Sequence, residues 1–98
     1  MGKTVSNEAI NKAVDYIKTN LIGTRTRILV QNRDKLDFSF YSTLKTVMYD
    51  GIEIRVDGEN YTGFIEGNAV TDIFYPNNIS SPEVEFDCGE DKVTFIQA

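Results

Sequence analysis

The spacing of apolar residues changes once along this chain, at Gly23, from the period of a helix to that of a strand. Before Gly23, apolar side chains recur every three or four residues and form one stripe: Ile10, Ala13, Val14, Ile17 and Leu21. Ser6 is a suitable N-cap, and glycine commonly follows a helix C-terminus. The pattern predicts a single helix over residues 6–22.

After Gly23 apolar and polar residues alternate, as they do in strands with one buried face. The alternating segments are residues 25–30, 36–41, 43–49, 52–56, 61–65, 70–75, 83–88 and 92–96. In the first hairpin, Leu36, Phe38 and Phe40 form the face assigned to the core. Asp50-Gly51 suits a tight two-residue turn, which would pair Tyr49 with Ile52.

These segments predict one domain over residues 1–98, with the helix at 6–22 and a strand-rich region at 24–97. The predicted class is α+β, with the helix packed on an antiparallel meander of about six or seven strands. Residues 56–65, Val-Asp-Gly-Glu-Asn-Tyr-Thr-Gly-Phe-Ile, resemble the glycine-punctuated bend of SH3-like and Sm-like barrels. The resemblance implies a sheet curled into a small barrel as the alternative to an open one.

The charges of the chain are strongly segregated. Residues 1–48 hold eight Lys or Arg against four Asp or Glu, whereas residues 49–98 hold two against eleven, so the halves carry +4 and −9 and sum to −5. Nine acidic residues and no basic residue lie between Arg55 and Lys92. Such polarity creates a directional field, which bears on partners and on association rates.

The composition argues against several classes of function. The chain has one cysteine and no histidine, so a zinc site or a Cys/His nucleophile pair has no set of ligands or partners. No glycine-rich loop leads into a helix in the way that phosphate binding requires. We therefore expect a protein without catalytic residues, metal or cofactor. The N-terminus lacks the apolar block of a signal peptide, and no apolar run is long enough for a membrane span, so we expect a cytoplasmic protein.

The most informative segment for function is residues 83–88, Glu-Val-Glu-Phe-Asp-Cys. Strand alternation directs Val84, Phe86 and Cys88 to the core and sets three carboxylates, roughly 6.5 to 7 Å apart, on the opposite face. That spacing approaches the phosphate repeat along a nucleic-acid strand. The predicted partner-binding residues are Glu83, Glu85, Asp87, Glu90, Asp91, Asp57, Glu59, Tyr61 and Tyr75. The alternative is a solvated strand face whose charges prevent aggregation.

These features predict a small acidic binding protein that occupies the basic groove of a nucleic-acid-handling partner. In type it resembles the anti-restriction and anti-CRISPR inhibitors of phages and mobile elements, some of which mimic DNA. An immunity protein capping a toxin nuclease fits the charges equally well. A third hypothesis is an assembly protein that forms homo-oligomers through its acidic end and the basic patch Arg25, Arg27, Arg33 and Lys35. Direct binding to nucleic acid or membrane is not expected.

Overall fold

The computed structural model describes residues 4–32, 37–76 and 81–98. Helix α1 spans Asn7–Asn20, and the Ser6 Oγ caps it by accepting the Ala9 N–H at 3.1 Å. Gly23, with φ of +83°, lets the chain leave the helix in a conformation that side chains disfavour. The predicted helix is confirmed to within two residues at each end.

Seven strands follow, joined in one antiparallel sheet with the order β4-β3-β2-β1-β7-β6-β5. They are β1 (Arg25–Asn32), β2 (Phe38–Tyr49), β3 (Glu53–Gly58), β4 (Thr62–Glu66), β5 (Asp72–Phe74), β6 (Glu83–Cys88) and β7 (Asp91–Gln97), with a 3₁₀ turn at Gly67–Ala69. The α+β class, with one N-terminal helix on an antiparallel sheet, is confirmed. The order departs from a meander because β7 pairs with β1 and β4 is not the neighbour of β5. The β1–β7 pairing joins distant parts of the chain, so no local turn motif in the sequence could predict it.

The sheet is curved but not closed into a barrel. Seven flat strands at about 4.8 Å spacing would place the two edges roughly 29 Å apart, whereas the six residue-to-residue steps from Glu66 to Asp72 reach at most about 22 Å. The link from β4 to β5 therefore requires curvature. Part of the bend lies in β2, whose pairing with β3 shifts register between Leu44 and Thr46. Within the described ranges β4 and β5 do not pair, so the SH3-like or Sm-like barrel is not confirmed.

The concave face of the sheet holds α1. Ile10, Ala13, Ile17 and Leu21 are completely buried there. They belong to one core with residues from six of the strands and from the β4–β5 connection: Ile28, Leu44, Val47, Ile54, Val56, Ile65, Val70, Val84, Phe86 and Phe95. Within the described ranges, no helix combines the length and the apolar character that crossing a membrane requires.

Two predictions about the hairpins are wrong. Phe38 is 58% exposed, although it was assigned to the core face, because burial along β2 begins only at Ser42, near the C-terminal end of α1. Phe40 is half-buried, and Leu36 lies outside the described residues. The alternation of apolar residues along a strand shows which face is buried. It does not show how many residues of that face are buried.

The second error concerns the turn after β2. Tyr49 pairs with Ile54 instead of Ile52, and Ile52 lies in the turn, 73% exposed. The cause is Asp50, whose Oδ1 accepts the backbone N–H groups of Ile52 and Glu53, both at 2.8 Å. These bonds, of which that from Glu53 has the larger effect, lower the pKa of Asp50. Because the Asp50 N–H also donates to the Glu53 carbonyl at 3.4 Å, the turn is centred on Gly51 and Ile52, one residue later than predicted.

We expect Ile17→Ala to lower the free energy of unfolding by about 2 to 5 kcal/mol, because it leaves a cavity between α1 and the sheet. Phe38→Ala is the matched control and should cost less than about 1 kcal/mol, since the ring is mainly exposed. Urea denaturation of both variants measures the difference. A larger loss for Phe38 than for Ile17 would contradict this description of the core.

Candidate functional site

The acidic row consists of Glu83, Glu85 and Asp87 on β6. Their neighbours Val84 and Phe86 are completely buried in the core, so alternation places the three carboxylates on the convex face of the sheet, opposite α1. We call this convex side the outer face. The placement agrees with the alternation inferred for residues 83–88. The row is half-buried among its cross-strand neighbours, so it forms part of a packed surface.

On one side the row is bordered by the edge strand β5. Asp72 lies directly opposite Asp87, and Phe74 lies opposite Glu85. Two carboxylates in directly opposed positions destabilise a sheet unless a cation is near. The Phe74 side chain is 43% exposed, so the edge presents an aromatic ring beside the carboxylates.

On its other side the row meets β7, which supplies one cation. Lys92 lies opposite Asp87, and its Nζ is 3.9 Å from the Glu85 Oε2. The Lys92 side chain is 46% exposed, so this contact is worth well under 1 kcal/mol. One lysine therefore offsets only part of the negative charge of the row and of Asp72.

Thr94, the cross-strand partner of Glu85 on β7, carries a polar atom that the described residues leave unpaired. The residue is 2% exposed, and its Oγ1 has no hydrogen-bond partner in the described part of the chain. A buried hydroxyl without a partner costs about 1 to 3 kcal/mol.

Tyr75 stands beside the row and is held by the helix. Its ring contacts that of Tyr16 edge to face, with the centroids 5.0 Å apart, and 38% of it is exposed. Burial, and secondarily Tyr16, raises the pKa of Tyr75. The Tyr16 hydroxyl also accepts the Glu83 N–H at 3.1 Å. Tyr16 thus ties α1 to both the acidic row and its aromatic neighbour.

A shallow depression lies between the row and the β5 edge. It is lined by Phe74, Tyr75, Pro76, Glu85, Asp87 and Lys92. Aromatic rings are favoured at protein interfaces, and carboxylates beside them favour a cationic partner.

Glu90 follows the row in the turn between β6 and β7, and Asp91 begins β7. Gly89 has φ of +82° there, and its N–H donates to the Asp87 Oδ1 at 3.0 Å. The Asn32 side-chain amide donates to Asp91 and holds the start of β7 against β1. Both carboxylates are exposed, but Asp91 lies opposite Cys88 and therefore on the core side of the sheet, so only Glu90 continues the negative surface beside Asp87 and Lys92.

Three predicted site residues lie elsewhere. Asp57 is on β3, separated from β6 by three strands, and Glu59 follows it at the next turn. A hydrogen bond from Thr62 is the largest cause of the lowered pKa of Asp57, and Arg55 contributes at 3.0 Å. The structure therefore does not bring Asp57 and Glu59 to the acidic row.

The third is Tyr61, which packs on Phe40 with the ring centroids 5.0 Å apart. It is half-buried, and burial raises its pKa. It therefore does not stand beside the row as an aromatic anchor.

Sequence reasoning missed Phe74 and treated Lys92 only as the end of a basic-free stretch. Phe74 lies within the predicted segment 70–75, so its strand was detectable. Its position opposite Glu85 depends on the β5–β6 register, which no short turn fixes.

The basic residues Arg25 and Arg27 share the outer face with the acidic row. The Arg25 guanidinium lies 4.7 Å from the Tyr41 ring centroid. Arg27 pairs with Ile96 on β7, and Ile96 pairs with Glu83 on β6, so two strand spacings, roughly 10 Å, separate Arg27 from the row. Arg33 and Lys35, the rest of the predicted basic patch, lie outside the described residues.

Among the described residues, no group of three or more His, Cys, Asp or Glu side chains is arranged to hold a metal ion. Comparisons with protein-family models, with curated proteins and with solved structures found no match.

Cys88 provides a test of the strand register that positions the row. It is half-buried on the core side, and burial, followed by the charges of Asp87 and Asp91, raises the pKa of its thiol. We expect an aromatic disulfide reagent at pH 8 to label it at least about tenfold more slowly in the native protein than in urea, because the thiolate is the reactive form. Equal rates would place Cys88, and with it the row, in the wrong register.

Proposed function

We propose that this chain is a small non-catalytic binding protein that uses the outer face of β5, β6 and β7 to cover a cationic, nucleic-acid-binding surface of a partner protein. The proposal rests on the acidic row together with two residues of β5 that lie directly opposite it: Asp72, opposite Asp87, and the exposed Phe74, opposite Glu85. Carboxylates supply charge that a basic groove requires, and the ring supplies an apolar anchor. The proposed setting is the cytoplasm.

Electrostatics explain how such a surface would compete with nucleic acid. The three carboxylates of the row are held by one strand at about 6.5 to 7 Å spacing, so they present charge at an interval close to that of phosphates. The net charge of −5 would speed association with a basic partner and repel nucleic acid. Occupancy of the groove is sufficient for inhibition, without any chemical step.

An inhibitor of the anti-restriction or anti-CRISPR type and an immunity protein for a toxin nuclease would both use such a surface. The charge of the row supports the two equally, and the identity of the partner decides between them. Assembly through separate basic and acidic ends is less favoured, because Arg25 and Arg27 share the outer face with the row instead of lying at an opposite end.

The test compares three forms of the protein as bait in a host lysate: the parent, a row variant and a control. The row variant combines Glu83→Gln, Glu85→Gln and Asp87→Asn. We expect it to fold with nearly unchanged Tm, because the amides keep the size of the half-buried carboxylates and remove the like-charge repulsion between Asp72 and Asp87. The nucleic-acid-handling partner that the parent captures should be depleted by at least about tenfold, as loss of several cooperating charge contacts predicts.

The control carries the same change in charge at positions away from the row, through Glu8→Gln, Asp15→Asn and Glu59→Gln. It should capture the partner nearly as well as the parent does. Equal loss in the row variant and the control would mean that net charge alone attracts the partner, and would overturn the proposed surface.

Kinetics with the captured partner provide a gain-of-function test. Lys92→Gln removes the cation nearest to Glu85, so it should raise the association rate about two- to fivefold at low salt, whereas the row variant should lower it. Measurements at several salt concentrations should show the steepest dependence for Lys92→Gln. An unchanged rate and salt slope in both variants would place the interface elsewhere.

A further inference from the structure

The second edge of the sheet, strand β4, has main-chain groups that are not used by the sheet. The hydrogen bonds that end its ladder with β3 run from the Gly58 N–H to the Tyr61 carbonyl at 2.7 Å and from the Gly67 N–H to the Ile52 carbonyl at 2.8 Å. In an antiparallel pair, such bonds engage every second residue. The odd-numbered residues of β4 therefore bond to β3, and the N–H and C=O groups of Thr62, Phe64 and Glu66 point away from the sheet.

This edge has little of the usual protection, since Glu66 is its one charged residue. Natural edge strands are commonly shortened or carry lysine or proline, which prevent pairing with another strand. The other edge, β5, has only three residues and is soon followed by Pro76. Strand β4 has five residues without lysine or proline, and the Phe64 side chain is 56% exposed. Among the described residues, none forms a backbone hydrogen bond with its outward groups.

The side chains beside the edge indicate the chemistry of a partner. Glu66 lies directly opposite Glu53 on β3, an arrangement of like charges that destabilises a sheet and that a nearby cation would relieve. The next position on the outer face is Phe64, whose ring lies 5.6 Å from the Arg55 guanidinium carbon. A strand added along β4 would meet a negative position at Glu66 and an apolar one at Phe64.

We propose that β4 binds an extended segment of another protein by strand addition. The segment places a lysine or arginine beside Glu66 and an apolar residue beside Phe64, and its main chain bonds to the outward groups of the edge. This site lies at the edge opposite β5, so it stands independently of the binding surface at the acidic row.

Charge disfavours a second copy of this chain as the occupant. Two copies related by a two-fold axis at Phe64 would place Glu66 of one copy beside Thr62 of the other. The resulting row of Glu53, Glu66, Thr62 and Asp57 across the two copies would add a third carboxylate to the Glu53–Glu66 pair, while Arg55 is already engaged by Asp57 at 3.0 Å. A basic segment avoids this repulsion and balances the Glu53–Glu66 pair.

The probe is a capped heptapeptide, Thr-Lys-Thr-Val-Thr-Lys-Thr, whose symmetry presents the same pattern in either strand direction. The matched control replaces both lysines by glutamate. We expect the lysine peptide, titrated into ¹⁵N-labelled protein, to shift the amide resonances of Thr62, Phe64 and Glu66 and to slow their hydrogen exchange. The glutamate peptide should bind at least about two- to fivefold more weakly, in line with one or two exposed charge pairs.

Two substitutions at one position separate main-chain from side-chain binding. Phe64→Pro removes an outward N–H that the sheet does not use, so the fold should tolerate it, and binding should be lost. Phe64→Ser keeps the N–H and removes the ring, so binding should weaken without disappearing. If Phe64→Pro fails to fold, Glu66→Lys tests the site instead. This variant should bind the glutamate peptide more tightly than the lysine peptide, because the charge beside the added strand is reversed.

Three results would overturn the proposal. Resonance shifts confined to Glu83, Glu85 and Asp87 would show that the lysine peptide binds at the acidic row and not at β4. Amides of Thr62, Phe64 and Glu66 that exchange slowly at every protein concentration without peptide would show that the chain itself covers this edge. Protection that grows with protein concentration would make a second copy the occupant.

Discussion

The burial of one helical stripe in the concave face of the sheet is the interaction on which the rest of this structure depends. Ile10, Ala13 and Ile17 have no exposed surface, and a sheet must curve to enclose a single helix from several sides. The short link from β4 to β5 imposes the same curvature. Since the concave face is filled by apolar side chains, nearly all of the charge of the chain must lie on the outer face, on the turns and on the free side of α1.

Tyr16 shows how the core and the candidate site are connected. Its ring packs on Tyr75, and its hydroxyl accepts the main-chain N–H of Glu83, so the helix holds both the strand that carries the acidic row and the aromatic residue beside it. The row therefore rests on a packed strand and not on a loop, which favours a fixed arrangement of its carboxylates. Fixed charges lose little entropy when they meet a complementary surface, and this preorganisation suits binding by occupancy.

The sequence predicted the outward row because alternation within one strand is a local property. Val84 and Phe86 are apolar and must be buried, so the acidic residues between them must face the other way. The same reasoning failed for Phe38, because the extent of cover along β2 depends on where α1 ends in space. It also grouped Asp57, Glu59 and Tyr61 with the row, because charge and aromaticity are visible in a sequence whereas the order of the strands is not.

The residues by themselves determined the helix, the strand periods, the lack of ligands for a zinc or Cys/His site and the separation of charge between the two halves, since each follows from short-range pattern or composition. Tertiary structure decided which carboxylates share a surface. It placed Asp72 and Phe74 beside the row through the β5–β6 register, and it left β4 as an edge with unused main-chain groups. Those features arise from pairing between strands, whose free energy depends on the burial of the whole core and therefore cannot be read from any single segment.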